Sequence, residues 1–199
     1  KIKVNLRDLG VDLYSVSSHK IHGPKGIGAL YVAKGAPVKP LVYGGGQGKG
    51  FRSGTENGPA VEACAFPAEQ TMRDFEANYS KKRNFIEQLK SELQSVCPEV
   101  RIITDTERSA PHILTVAFGG VRGEVLLHAL EKRGILVGVG SACSSHRESR
   151  FKTLLGLDEH YRDGIVRFSV SELNDISQAA EVAEAAAEEA AKLREYARK

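Results

Sequence analysis

Apolar and polar side chains alternate through residues 11–17, the period-two pattern of a buried strand, and a second strand is predicted over residues 27–33. The segment between them holds Gly23, Pro24 and Gly26, which demand a tight connection, so the pair reads as a hairpin whose turn carries polar side chains. A glycine run at residues 44–50 predicts a flexible loop. Pro59 can open a helix and Pro67 is expected to kink or break it. Met72, Phe75, Tyr79, Ile86, Leu89 and Leu93 then recur near helical spacing until Pro98 ends the run. Beyond it, strands are predicted near residues 100–103, 112–118, 135–139 and 165–170, with helices over 123–132 and about 151–155. A last helix from about Asp175 sets Ala179, Val182, Ala186, Ala190 and Leu193 on one stripe opposite a charged face. The order predicts an α/β chain, in which residues 57–199 form a small layered domain attached to the edge of a sheet begun by residues 1–56.

Composition narrows the function classes. A chain of 199 residues with 41% hydrophobic and 27% charged residues is an ordinary globular protein of one large or two small domains. Its 28 basic and 25 acidic residues form no dense basic block, which leaves nucleic-acid binding without electrostatic support. No run approaches the ~18 apolar residues of a membrane span, and residues 1–6 lack a signal peptide's apolar core, so the expected location is the cytoplasm, with no membrane partner. Cys64, Cys97 and Cys143 are an odd, sparse set with no CxxC spacing, against a disulfide framework or a cysteine-rich zinc site.

Four segments carry chemistry. In Ser17-Ser18-His19-Lys20 a lysine amine can form a Schiff base with an aldehyde cofactor, and Ser17 and His19 can donate to a phosphate beside it; a solvated polar turn is the competing explanation. Arg52-Ser53-Gly54-Thr55 offers a guanidinium and two hydroxyls before a helix, an arrangement suited to an anion. The preceding glycine run is not a P-loop, because Lys49 is followed by Gly50 rather than Ser or Thr. In residues 138–146 Cys143 lies among small residues with His146, Arg147 and Arg150 close by, a setting that favours a reactive thiolate. Cys64, in an Ala-rich helical stretch, and Cys97, before Pro98, read as structural. Arg167 is a charge inside a strand and needs a partner, either a substrate carboxylate or an acidic neighbour. His22, His112, His128 and His160 show no metal-ligand spacing.

Taken together and in order, Ser-x-His-Lys, Gly-Pro-Lys-Gly, Arg-Ser-Gly-Thr, Gly-Ser-Ala-Cys and Arg-Phe-Ser resemble the cysteine desulfurases of the nitrogenase and iron-sulfur-assembly type, within the class V aminotransferases. The similarity covers nearly the whole chain, including Pro111-His112-Ile113-Leu114 and Leu154-Leu155-Gly156-Leu157. The resemblance implies a fold type I pyridoxal-phosphate transferase: residues 1–56 as the C-terminal part of the large cofactor domain and residues 57–199 as the small α/β domain. Lys20 would carry pyridoxal 5'-phosphate, with Ser17 and His19 at its phosphate, and Thr55 would reach the phosphate site across a homodimer interface. Arg167 would hold the carboxylate of L-cysteine. Cys143 would accept sulfur as a persulfide while alanine leaves, then pass it to a sulfur-acceptor or iron-sulfur scaffold protein, where Cys143 can also serve as a transient cluster ligand. Gly-Ser-Ala-Cys-Ser-Ser resembles the longer-loop branch rather than the branch with Arg-x-Gly-x-His-Cys.

Family members are about twice as long, and their N-terminal half supplies a histidine stacked on the pyridine ring and an aspartate at its nitrogen. No residue here takes those roles, so the expectation is a C-terminal half without activity alone. Alternative expectations are a selenocysteine lyase or other class V aminotransferase, and a non-catalytic module for dimerisation or acceptor binding.

Overall fold

The computed structural model describes residues 1–140 and 155–197, and the chain divides into two compact units. One comprises Lys3–Phe75; the other comprises Lys1–Ile2 and Glu76–Lys199. This division falls after the first long helix, whereas the sequence places a boundary before it, at residue 57.

In the first unit a short helix α1 (Leu6–Leu9), capped by the Asn5 side chain, precedes strand β1 (Leu13–Ser17). β1 pairs antiparallel with β2 (Gly28–Val32) in a register that sets Leu13 opposite Val32 and Ser17 opposite Gly28, as the hairpin pattern predicts. The strands are not buried as their alternation suggests. Leu13, Val16 and Leu30 are 50%, 40% and 58% exposed, because this two-stranded ribbon has no layer over those side chains within its unit. Helix α2 (Gly58–Arg73) starts where Asn57 Oδ1 accepts the Ala60 amide at 3.2 Å, with Pro59 in its first turn.

Of the kink or break expected at Pro67, the break does not occur: α2 runs past it to Arg73 and stops at Asp74. A proline removes its own N–H bond to the carbonyl four residues back and crowds that carbonyl with its ring. Here that carbonyl belongs to Ala63, an exposed residue, so water can serve it.

The second unit is a three-stranded antiparallel sheet in the order β3 (Val100–Ile102), β4 (Ile113–Phe118), β5 (Ile165–Ser169). Helices α3 (Phe75–Val96), α4 (Gly123–Glu131) and α6 (Gln178–Ala197) complete its core, and a one-turn helix α5 (Glu159–Arg162) precedes β5. Phe85, Ile86, Leu89 and Leu93 of α3 pack with Leu114, Val116 and Phe118 of β4, Leu126 and Leu130 of α4, and Val166 and Phe168 of β5. Ala179, Ala183, Ala186 and Ala190 form a small-residue stripe on α6, which packs on α4. Residues 135–139 are not a strand as expected; only Gly138 bridges to β5, opposite Arg167. The helix predicted near residues 151–155 falls largely outside the described residues. Among the described residues, no helix is long and apolar enough to cross a membrane.

A titratable group sits at the entry to β4. His112 Nδ1 is buried and has no hydrogen-bond partner among the described residues, and Lys82, itself buried, pairs with Glu172 at 3.4 Å. Burial, then Lys1 and Lys82, push the His112 pKa down to about 4 against the pull of Glu172. An unfolded chain takes up the histidine proton near pH 6.5, so between that value and about 4 the unfolded state binds more protons. The neutral imidazole's contribution is therefore complete above about pH 6.5 and declines as pH falls toward 4. Thermal melts from about pH 7 to about pH 4 are expected to show a shallower loss of Tm for His112→Asn than for the native chain; parallel slopes would assign the acid sensitivity elsewhere.

Candidate active site

β1 delivers the chain to Ser17, whose extended backbone (φ −105°, ψ 124°) caps a 3-10 helix, Ser18–Ile21, without any side-chain capping bond. That helix presents His19 and Lys20 to solvent, and His22 ends it in the left-handed conformation (φ 68°), its amide bonded to the Ser18 carbonyl. The Ser18 amide donates to Ile27 O at 3.1 Å, which ties the turn to the start of the return strand. There β2 must begin with glycine, because a Cβ on Gly28 would overlap the Val16 carbonyl oxygen. Ser17, His19 and Lys20 thus share one braced connection, exposed, and among the described residues their side chains make no hydrogen bond or ion pair. α2 packs against the same 3-10 helix.

Thr55 belongs to the same unit, on a turn that organises itself. Gly54 has φ 103°, open only to glycine at low cost, and Arg52 Nη1 donates to the carbonyls of Gly54 at 3.0 Å and Thr55 at 3.1 Å. Arg52, which the sequence offers to an anion, therefore directs one guanidinium nitrogen at its own turn. Ser53 is buried, its amide bonded to Val42 O, whereas Thr55 is exposed. Gln47, which sequence reasoning misses, accepts the Gly54 amide at 3.2 Å and fastens the glycine run to this turn. Its only signal in the sequence is a lone amide side chain in a run of glycines.

Arg167 lies in the other unit, on β5. Val166 and Phe168 point into the core, so Arg167 emerges on the opposite face. Its amide donates to Gly138 O at 2.7 Å, and its Nη1 donates to Gly140 O at 3.1 Å. A Cβ on Gly138 would come within 2.9 Å of Arg167 Nη2, so the guanidinium lies across glycine backbone. Among the described residues no carboxylate is in ion-pair range of Arg167, and the acidic-neighbour explanation finds no support there. Cys143 lies outside the described residues. Cys97 is buried in the core of the second unit, and Cys64 is half-buried on α2; both are free thiols.

The family model described as aminotransferase class-V matches residues 1–182. A protein of Sinorhizobium fredii named cysteine desulfurase is 35% identical over 176 residues, 87% of this chain and 46% of that protein. A NifS/IcsS protein homolog of Lactobacillus delbrueckii is 39% identical over 174 residues, 86% of this chain and 45% of its own length. A solved NifS-like protein superposes with a TM-score of 0.83 at 32% identity, covering 96% of this chain and 50% of that one, which shows a shared α/β fold. The chain spans about half the length of the curated relatives it matches. With its match over residues 1–182 and this shared fold, the chain belongs to the aminotransferase class-V family.

Proposed function

We propose that this chain carries the lysine, the substrate-binding arginine and the sulfur-accepting cysteine of a pyridoxal-phosphate-dependent cysteine desulfurase. The supporting observation is the connection after β1, where the Lys20 amine, the His19 imidazole and the Ser17 hydroxyl stand exposed and, among the described residues, unengaged at one short helix and its cap, in a chain whose relatives are named cysteine desulfurases. This donor set fits the cofactor: the Lys20 amine suits an aldehyde, and Ser17 and His19 suit a phosphate. When bound, pyridoxal phosphate supplies an electron sink for charge developing at the substrate's α-carbon.

The remaining steps belong to the protein's own groups. Arg167 holds the carboxylate of L-cysteine with its planar fork. The Lys20 amine takes the α-proton. The Cys143 thiolate attacks the substrate sulfur; the carbon–sulfur bond breaks, and the carbon fragment gains a proton and leaves as alanine. Cysteine plus thiol thus becomes alanine plus persulfide, a balance that needs no outside oxidant or reductant. The persulfide then passes to a sulfur-acceptor or iron-sulfur scaffold protein, with Cys143 available as a transient cluster ligand. In this reading two copies associate, Thr55 serves the phosphate of the partner copy, residues 1–56 belong to the cofactor domain and residues 57–199 to the small domain, and the enzyme works in the cytoplasm.

The test is borohydride reduction of the purified chain with a limiting amount of pyridoxal phosphate, followed by mass-spectrometric mapping. The same is done after co-expression with the N-terminal half of the Sinorhizobium relative, where alanine and persulfide formation from cysteine are also measured. Label concentrated on Lys20, with turnover in the co-expressed form, is the expected result. Label scattered over the lysines in both samples, without alanine, would overturn the proposal.

A further inference from the structure

Ser18, between the two proposed phosphate ligands, has 0% exposure, and among the described residues its Oγ has no hydrogen-bond partner. Its backbone is held from both ends of the turn: its amide bonds to Ile27 O, and its carbonyl accepts the amides of His22 and Gly23, the latter at 3.0 Å. The side chain occupies the space above Gly23. A Cβ built on Gly23 would overlap Ser18 Oγ and lie 3.2 Å from both Ser18 Cβ and Ser18 O. Gly23, unlike Gly26, has no left-handed backbone, so nothing conformational demands glycine at this position. The demand comes from Ser18.

From this arrangement we infer that Ser18 and Gly23 are a positioning pair, in which the buried serine side chain seated over the bare Gly23 backbone sets the direction of the turn that presents His19 and Lys20. The inference rests on the reading of Lys20 as the cofactor lysine. Steric fit, rather than hydrogen bonding, does the positioning, since among the described residues the hydroxyl has no hydrogen-bond partner. Shape is therefore what must be preserved: a methyl added at Gly23 has to turn the Ser18 hydroxyl out of its seat or push the 3-10 helix away, and removing the Ser18 side chain makes room for it.

Four forms of the chain test this: native, Ser18→Ala, Gly23→Ala, and the double variant Ser18→Gly with Gly23→Ala. Each is read by borohydride labelling of Lys20 relative to the other lysines, by amide exchange at His22 and Gly23, and by thermal melting. Ser18→Ala, which removes the Oγ seated over Gly23, is expected to weaken selective labelling of Lys20, though less than Gly23→Ala does. Gly23→Ala should lose selective labelling by at least about fivefold and expose both amides, as overpacking at a fixed backbone predicts. The double variant should recover to within about twofold, the signature of direct coupling between neighbours. Native labelling in Gly23→Ala would overturn the inference, and so would a double variant no better than the single one. If Lys20 is labelled neither in the native chain nor in its co-expressed form, the cofactor reading itself has failed, and with it the positioning role. Amide exchange then still reports whether the two residues are coupled.

Discussion

Lys20→Arg is expected to abolish alanine formation from cysteine in the co-expressed enzyme, by about a thousandfold or more. Arginine keeps the positive charge, the length and the exposed place on the 3-10 helix. It has no amine that can lose its proton near neutral pH, so it can neither join the aldehyde nor take the α-proton. Folding should be untouched, because Lys20 makes no side-chain contact among the described residues that the fold requires. The informative partner is Cys143→Ser. It should also stop persulfide formation, since the attacking group is gone, yet leave borohydride labelling of Lys20 at the native level. The two variants therefore separate the cofactor step from the sulfur step. A Lys20→Arg enzyme that keeps more than about a tenth of native turnover would move the lysine role elsewhere.

The proposed cofactor residues form a recognisable cluster in sequence for a local reason. Ser17, His19 and Lys20 are close neighbours on one turn, and Gly23 and Gly26 mark that turn by residue type alone. What periodicity cannot supply is the conformation: four residues make one turn of 3-10 helix, too short for any repeat to register. Arg167 is the opposite case. Its place in a strand is plain from the pattern, but its neighbours Gly138 and Gly140 are about thirty positions away in the chain and are glycines with no side chain to signal a contact. The same limit explains residues 135–139, whose strand-like composition yields one bridge rather than a ladder. The apolar pattern misjudges burial where burial depends on a layer that the pattern does not encode, as at Leu13 in β1, and reads it where several elements converge, as at Ile86, Leu89 and Leu93 on α3. The alanine stripe of α6 is visible because it repeats every three or four residues, the one spacing that a helix face reports.

The structural change expected to matter most is Gly164→Ala. Gly164 has an ordinary backbone, so alanine would carry no conformational penalty; the obstacle is space. A Cβ there would overlap the Phe118 carbonyl oxygen, 2.8 Å from that carbonyl's carbon and 3.0 Å from Val121 O. All three obstacles are backbone, and none can yield easily. The Phe118 amide donates to Gly164 O at 2.9 Å, the Gly164 amide donates to Tyr161 O at 3.1 Å, and the Gly123 amide that opens α4 donates to Asp163 O at 2.8 Å. Pushing Gly164 aside therefore strains the end of β4, the entry of α4 and the start of β5 at once. A loss of about 3 kcal/mol or more is expected, at the upper end of overpacking effects, which for a chain of this size lowers Tm by roughly 6–12 °C. The contrast is Gly134→Ala, where a Cβ meets nothing within 4 Å and only the positive φ of 78° opposes it, so about 1 kcal/mol is expected. β5 places Arg167 three residues after Gly164, so a folded remnant of the Gly164 variant should also show a raised KM for cysteine in the co-expressed enzyme. A Gly164→Ala protein that melts like the native one would show that the β4–β5 approach is compliant, and that the position of Arg167 is set by its bonds to Gly138 and Gly140 instead.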